Sequence, residues 1–242
     1  MAPPRAVALA PGVFRIPTIG SWGTNSFALV DDDGSVTLVD TGLKSAPPRI
    51  VAGLAAIGKH PSDVQRIVLT HAHVDHAGGA AEMAGSTGAP LAVHEDDAGF
   101  VERGTPPPPD TSFFAGKLIA RLPNSGFPPA AVAERLTDGQ MLGVAGGLRV
   151  VATPGHSPGH VSLLHESSAT LITGDALFNV LGVRYSPRPL CTDFRLTRRT
   201  AHVLGELEYE RVAFTHGPEI LDGGREAVRR FLATAVDRST PE

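Results

Sequence analysis

The chain has 242 residues, of which 42% are apolar and 19% charged, and its net charge is −4 with histidine neutral. A chain of this length and composition can bury a hydrophobic core, and we expect one domain over residues 1–242. The small negative charge gives no general attraction to nucleic acid or to an anionic membrane, so neither is an expected partner.

Cysteine usage and hydropathy indicate a cellular location. Cys191 is the only cysteine, so no intramolecular disulfide can form, which fits a reducing compartment. The first residues form a short apolar run interrupted by prolines, which is too short for a signal peptide. No stretch approaches the roughly 18 unbroken apolar residues that span a bilayer. We therefore expect a cytoplasmic protein; its oligomeric state is not indicated.

Short runs rich in valine, isoleucine and leucine predict strands, because each run ends in a polar or glycine-rich turn. The predicted strands are 27–30, 36–40, 66–70, 90–93, 148–152, 160–165, 170–173 and 211–215. Helical patterns between them predict helices at 46–57, 79–83, 96–103, 111–122, 197–207 and 224–236. Strands and helices mixed in this way predict a layered α/β protein whose helices cover the sheet faces.

The segment 104–129 differs from the rest of the chain. Proline-rich connectors at 104–110 and 123–129 flank an apolar helix, whose apolar side chains are Phe113, Phe114, Leu118, Ile119 and Leu122. Periodic apolar residues usually mean that a helix packs on the core. The alternative is a wall or lid over the active site, in which case 104–129 is a helical insertion that shapes the substrate site.

Histidine and aspartate residues directly follow four of the predicted strands. After strands 66–70, 148–152, 170–173 and 211–215 come, in that order, the run His71-Ala-His73-Val-Asp75-His76, then His156, Asp175 and His216. The carboxyl ends of strands build the ligand crevice in open α/β sheets. If these strands share an edge, all of these side chains converge.

Spacing within the first run predicts two metal positions. His71 and His73 are two residues apart, so in extended chain both imidazoles point to one side. Asp75 and His76 come where the chain turns into the next helix, and they can face a second point. Imidazole and carboxylate ligands suit zinc, and also iron or manganese. A lone His-x-His would be weak evidence, whereas the full six-residue pattern at a strand end is specific.

Two histidines compete in the stretch Thr153-Pro-Gly-His156-Ser-Pro-Gly-His160. His156 follows the turn after the strand, so we assign it as a metal ligand. His160 begins the next strand, and we expect it to support the site or the fold. Asp175 has two carboxylate oxygens and could bridge two metals, although an aspartate alone in a turn is unremarkable.

These motifs resemble the metallo-β-lactamase superfamily over residues 12–222. The resemblance implies a four-layer αββα sandwich with a dinuclear site at one edge of the paired sheets. It also implies the ligand sets: His71, His73 and His156 for the first metal, Asp75, His76 and His216 for the second, with Asp175 bridging both. Asp40, in Leu-Val-Asp-Thr-Gly, matches the family's buried aspartate that braces the metal loop.

The branch of the family is indicated by Asp175. An aspartate at the bridging position, with no cysteine ligand, is similar to the glyoxalase II and lactonase branch rather than to true β-lactamases. The Gly-Cys-Gly stretch of glyoxalase II is replaced here by residues 179–183, and the tyrosine of the quorum-quenching lactonases is replaced by Phe178. The extra domains or basic arms of the superfamily's nucleases are not found in this sequence.

The expected chemistry follows from charge. Two divalent metal ions, less the charges of Asp75, Asp175 and a bridging hydroxide, leave about one positive charge, which lowers the pKa of bound water towards ~7. We therefore expect a hydrolase in which a metal-bridging hydroxide attacks the carbonyl of a small-molecule ester, thioester or lactone. Asp75 and Asp175 are the expected catalytic residues, because Asp75 can also pass a proton to the leaving group.

Three alternatives stay open at this point. A mononuclear iron persulfide dioxygenase would not need Asp75, His76 and His216 as ligands. A phosphodiester hydrolase could use a local basic segment, although such a run is usually an exposed helix face; its members are Arg184, Arg188, Arg195, Arg198 and Arg199. A non-catalytic binding module on the same fold would not need the complete ligand set.

Overall fold

The computed structural model describes residues 5–121, 126–144 and 146–237. Its first sheet has the strand order β1-β2-β3-β4-β5-β6-β7 among these residues. Neighbours from β1 to β4 are antiparallel, and those from β4 to β7 are parallel. The strands are β1 (Val7–Ala10), β2 (Val13–Ile19), β3 (Thr24–Val30), β4 (Val36–Val39), β5 (Val64–Val68), β6 (Leu91–His94) and β7 (Glu134–Leu136).

A second sheet is built from the later part of the chain. It uses β8 (Met141–Leu142), β9 (Leu148–Ala152), β10 (Val161–His165), β11 (Thr170–Ile172) and, after the separate hairpin β12 (Leu177–Asn179) and β13 (Val183–Tyr185), β14 (Arg211–Ala213). The strand order is β14-β11-β10-β9-β8. Strand β10 is antiparallel to both β9 and β11, and β11 is parallel to β14. Strands β9, β11 and β14 therefore end at the same edge.

Helices lie between and after the strands. They are α1 (Pro47–Ala56), α2 (Val74–Ala77), α3 (Ala80–Thr87), α4 (Glu95–Arg103), α5 (Phe114–Ile119), α6 (Phe194–Thr200), α7 (Val203–Glu206) and α8 (Gly224–Asp237). Three acidic residues occupy the first turn of α4, where they suit the positive end of the helix dipole, and Gly104 ends the helix at φ 67°. In the part of the chain that is described, no helix combines the length and the apolar character needed to cross a bilayer.

Apolar side chains form three clusters, which define four layers. Ile50 of α1 packs with Ile67 of β5 on the outer face of the first sheet. Leu163 of β10 belongs to the cluster between the two sheets, whereas its neighbour Leu164 faces the outer helices together with Leu204 of α7. Adjacent strand residues point to opposite faces, so one strand serves two clusters. The expected αββα sandwich is confirmed.

Several predicted boundaries need correction. Strands β1 and β2 were not predicted, because Pro11-Gly12 and Pro17 interrupt the apolar run that forms this hairpin. The short strands β7 and β8 were also missed. The predicted helix 197–207 is divided into α6 and α7. The helix predicted at 79–83 is found as the longer α3, and the short helix α2 that precedes it was not predicted. Such differences arise because contacts with neighbouring strands, rather than the local sequence pattern, determine where short strands and helices form.

The helix predicted at 111–122 is shorter, and it does not pack as the core interpretation requires. Helix α5 spans Phe114–Ile119, and residues 122–125 lie outside the described part of the chain. The side chains of Phe114 and Leu118 are 84% and 55% exposed. Phe113 lies under the guanidinium carbon of Arg188, 4.1 Å from its ring centre. The core interpretation is therefore wrong for Phe114 and Leu118, and this short helix contacts the 188–190 turn.

Candidate metal centre

The seven predicted ligand residues converge at one edge of the sandwich. They form three overlapping groups, within each of which the potential ligand atoms lie within 4.8 Å of one another; the groups are His71, His73 and His156, then His71, His76 and Asp175, then Asp75, His76 and His216. The sequence predicted convergence at a shared edge, and the structure achieves it with two sheets. Strand β5 of the first sheet leads to His71, whereas β9, β11 and β14 of the second sheet lead to His156, Asp175 and His216.

The first group is a cluster of three imidazole nitrogens. Nε2 of His71 lies 3.0 Å from Nδ1 of His73, which lies 2.8 Å from Nε2 of His156. The outer nitrogen of His71 contacts Thr70 Oγ1 at 3.0 Å, and that of His156 contacts Ser186 Oγ at 3.1 Å. Such outer contacts orient histidine rings towards a metal. The three inner nitrogens therefore form a donor set for one cation.

The second group combines one carboxylate with two imidazoles. Asp75 and His76 lie together in α2, and Asp75 Oδ2 is 3.7 Å from His76 Nε2 and 3.4 Å from His216 Nε2. Nδ1 of His216 donates to the carbonyl oxygen of Gly23. Nε2 of His76 is buried and makes no hydrogen bond among the described residues, although carboxylate oxygens of Asp75 and Asp175 lie 3.7 and 3.4 Å from it. A buried polar atom without a partner is costly, so this nitrogen fits a ligand that a cation would complete.

Asp175 lies between the two groups. Its Oδ2 is 3.1 Å from His156 Nε2 and 3.3 Å from His216 Nε2, and its Oδ1 is 3.4 Å from His76 Nε2. Thr215 donates a hydrogen bond of 2.6 Å to Oδ1, which fixes the carboxylate plane. The chain reaches this position because Gly174, at φ 52°, turns directly after β11. One carboxylate thus faces ligand atoms of both groups.

Asp40 connects the two groups through hydrogen bonds to Thr70, which precedes His71, and to His76. Its Oδ1 accepts the backbone N–H of Thr70, and its Oδ2 accepts both Thr70 Oγ1 and His76 Nδ1, all at 2.8 Å. Asp40 is fully buried and has φ 58°, a strained value for a residue with a side chain. The bracing position implied by the sequence resemblance is therefore observed.

His156 and His160 have different surroundings. Nε2 of His156 faces the first group, whereas Nε2 of His160 accepts the backbone N–H of Asp175 at 2.7 Å. Nδ1 of His160 must then carry the proton, which it donates towards Thr153. His160 therefore supports Asp175 and does not contribute to the groups of potential ligand atoms.

Burial and the nearby carboxylate of Asp175 shift the pKa values of the site histidines in opposite directions. Burial lowers the pKa of His71 and of His73 well below the ordinary value. Against the effect of burial, Asp175 raises the pKa of His156 to about 9, and it also raises the pKa of His76 and His216. Although burial opposes it, these imidazoles, with His216 first, hold the pKa of Asp175 well below its ordinary value. The charge balance therefore fits bound cations.

Sequence reasoning missed supporting residues, most of all Asp97. It is fully buried in the first turn of α4, and it was expected to be an ordinary member of helix 96–103. One signal was present, since Asp97 lies four residues before Val101 on the buried face of the helix. An acidic residue on an apolar stripe indicates a buried partner.

Comparisons with known proteins agree with this geometry. The metallo-beta-lactamase superfamily profile matches residues 19–216, which include all seven residues. The probable metallo-hydrolase YybB of Bacillus subtilis is 28% identical over 208 residues, covering 86% of this chain and 84% of that protein. Thioesterase pkgB of Emericella nidulans is 30% identical over 217 residues, 89% of this chain, which spans only 52% of that relative.

Solved structures share the architecture. A metallo-beta-lactamase of Cronobacter sakazakii with a HARLDQ motif superposes with a TM-score of 0.72 at 22% identity, covering 98% of this chain and 94% of that one. A metallo-beta-lactamase family protein from Thermus thermophilus gives a TM-score of 0.70 at 26% identity, covering 96% and 81%. With its fold, its convergent histidines and aspartates and a profile match over most of its length, the chain belongs to the metallo-beta-lactamase superfamily.

Proposed function

We propose that this protein is a dinuclear metal-dependent hydrolase that cleaves an ester, thioester or lactone bond. The observation that carries the proposal is the position of Asp175, whose Oδ2 faces His156 at 3.1 Å and whose Oδ1 faces His76 at 3.4 Å. Because Oδ2 also lies 3.3 Å from His216 Nε2, this carboxylate faces ligand atoms of both groups, which suits two cations held side by side. Zinc is the expected metal, and iron or manganese also suits these ligands.

The residues divide the chemical work. Two divalent cations would supply water activation at neutral pH and polarisation of the substrate carbonyl. Asp175, with a side chain only 4% exposed, holds both groups in register. Asp75 is 28% exposed, so its Oδ2 is the carboxylate oxygen that can reach a substrate and pass a proton to the leaving group.

Within the superfamily, we propose the glyoxalase II and lactonase-like branch. This proposal is supported by the composition of the two groups, which among the described residues contain histidines and aspartates and no cysteine. Cys191 Sγ lies 3.7 Å from Nδ1 of His156, on the outer side of that ring, whereas the inner nitrogen is Nε2. The similarity to a protein named thioesterase pkgB supports a thioester as one candidate substrate.

The segment 104–129 is proposed to shape the substrate site. The backbone N–H of Asp110, in this segment, donates a hydrogen bond of 2.6 Å to the carbonyl of Cys191. The backbone N–H of Thr192, which follows Cys191, donates to the carbonyl of His156 at 3.0 Å. The segment is thus joined to a proposed ligand loop through two neighbouring residues. The exposed Phe114 and Leu118 could contact the apolar part of an acyl group near that loop.

The rival functions have less support. The second group is complete, which a mononuclear persulfide dioxygenase would not need. Three of the five arginines proposed for a phosphodiester substrate are engaged within the chain. Arg188 lies over Phe113, and Arg184 donates to the carbonyl of Leu181. Arg198 donates to the carbonyl of Ala235 and lies over Tyr185.

A substrate panel with a metal control tests the proposal. Zinc-loaded protein is assayed with aryl esters, acyl thioesters, lactones and a phosphodiester, and oxygen uptake with a persulfide is measured on iron(II)-loaded protein. We expect hydrolysis of a carbonyl substrate that a chelator abolishes and added zinc restores. Asp33→Asn, at an exposed turn away from the site, serves as the variant control. Hydrolysis confined to the phosphodiester, or oxygen uptake with the persulfide alone, would reject the proposal.

A further inference from the structure

Asp97 joins two loops that carry proposed metal ligands. Its Oδ2 accepts the backbone N–H of Ala72 at 2.8 Å and the hydroxyl of Ser157 at 2.6 Å. Its Oδ1 accepts the backbone N–H of Gly159 at 2.7 Å. Ala72 lies between His71 and His73, and Ser157 directly follows His156. These three hydrogen bonds therefore all end on the loops of the first histidine group.

The two loops come from different sheets. The loop with Ala72 follows β5 of the first sheet, and the loop with Ser157 and Gly159 follows β9 of the second. Gly159 packs so closely on α4 that an added Cβ would lie 2.6 Å from the backbone nitrogen of Asp97. Asp97 thus connects the two loops directly, in addition to the backbone hydrogen bond of 2.9 Å from Val161 to the carbonyl of Thr70 that joins the two sheets nearby.

A buried carboxylate is an expensive way to fill this position. Burial opposes ionisation and raises the pKa of Asp97, while Ser157, Gly159 and Ala72 offset part of that cost. An apolar side chain would fill the same face of α4 without a charge to desolvate. The benefit must therefore lie in the connection, since three imidazole nitrogens within 3.0 Å of their neighbours need a rigid frame.

We propose that Asp97 is a positioning residue that presets His71, His73 and His156 for a metal ion and has no such role for Asp75, His76 and His216. The inference rests on the proposed metal-dependent function and adds to it a residue outside the ligand set. It implies that a change at Asp97 lowers the metal affinity of the first group and leaves that of the second group almost unchanged.

Asp97→Asn is the informative substitution. The amide keeps the shape but turns one acceptor into a donor. If the NH₂ group takes the place of Oδ1, it faces the N–H of Gly159; if it takes the place of Oδ2, it faces the N–H of Ala72. Either orientation removes one of the two hydrogen bonds that Asp97 accepts from backbone N–H groups. Ser157→Ala is the milder variant, because it removes a single hydroxyl and leaves both hydrogen bonds from backbone N–H groups to Asp97.

The test measures zinc affinity at each position separately, by competition with a chromogenic chelator. His216→Ala leaves the first group intact, and His73→Ala leaves the second. On the His216→Ala background, Asp97→Asn should weaken zinc binding about 10–100-fold, the usual range for partners of metal ligands. On the His73→Ala background it should change affinity by less than about twofold. Asp33→Asn, at an exposed turn away from the site, should change neither affinity.

The outcomes separate the inference from the proposed function. Wild-type protein that binds zinc at both positions, with an equal loss or no loss on the two backgrounds, would overturn the role of Asp97 and leave the hydrolase proposal standing. Wild-type protein that binds no zinc would overturn both. If Asp97→Asn does not fold, Ser157→Ala must show a smaller loss confined to the first group, and an unchanged affinity there would reject the inference.

Discussion

The backbone N–H of Asp175 donates a hydrogen bond of 2.7 Å to Nε2 of His160. Burial lowers the pKa of His160 to about 3, so the ring is neutral and its Nε2 stays an acceptor. His160 is therefore not one of the proposed metal ligands. It instead fixes the backbone of Asp175, whose carboxylate faces both ligand groups. This separates the role of His160 from that of His156.

We predict that His160→Ala keeps its metal, whereas His156→Ala loses the first metal. Removal of His160 leaves the N–H of Asp175 without its partner, which should lower the free energy of unfolding by about 1–3 kcal/mol. Metal content by elemental analysis, measured beside thermal unfolding, checks both statements. Metal lost from His160→Ala but retained in His156→Ala would reverse the assignment.

Asp175→Ala should remove hydrolytic activity and weaken both metals. One carboxylate faces both groups, so its loss leaves each with fewer donors and more positive charge to hold. We expect zinc affinity to fall more than about 100-fold at both positions, beyond the usual effect of a supporting residue. Chelator competition gives the two affinities. Retention of wild-type affinity at either position would show that Asp175 does not serve both.

The residues of the proposed ligand set could be identified from the sequence because their signals are local. The run from His71 to His76 and the residues that follow β9, β11 and β14 are recognisable without knowing how the sheets pair. The sandwich followed from the family resemblance to those motifs. The use of two sheets to build the shared edge could not be read from strand patterns alone.

Other features depend on tertiary contacts that no local pattern encodes. Asp97 resembles an acidic residue that favours the start of a helix, and only its burial reveals the partners Ala72 and Ser157. The apolar stripe of α5 was consistent with either burial or exposure, because periodicity gives a face but not what covers it. The exposure of Phe114 was therefore decided by the contacts of α5 with the 188–190 turn.

Substitution of Phe114 should change substrate choice rather than stability. Since its ring is 84% exposed, Phe114→Ala should alter the free energy of unfolding by no more than about 0.5 kcal/mol, against ~3–5 kcal/mol for a buried phenylalanine. We expect relative kcat/KM among acyl chain lengths to change by about 1–3 kcal/mol, with metal content unchanged. Met141→Ala, an exposed apolar residue on edge strand β8, is the control. An unaltered acyl profile would remove α5 from the substrate site.

Zinc uptake at neutral pH should release protons. Although burial opposes it, Asp175 raises the pKa of His156 to about 9 in the metal-free protein, so this ring is protonated at neutral pH. A metal binds only the unprotonated ring, so apparent affinity should rise as the pH rises towards about 9 and level off above it. Calorimetry in buffers of different ionisation enthalpy counts the protons, and His156→Ala should release fewer. An affinity independent of pH would contradict the charge arrangement described for the site.

Metal stoichiometry tests the central claim most directly. Protein dialysed to equilibrium against excess zinc, then against zinc-free buffer, is analysed for metal and for protein concentration. The two groups that meet at Asp175 predict about two zinc ions per chain, falling to about one in His216→Ala. A value that stays at one for the wild-type chain, with zinc, iron or manganese supplied, would contradict the dinuclear account.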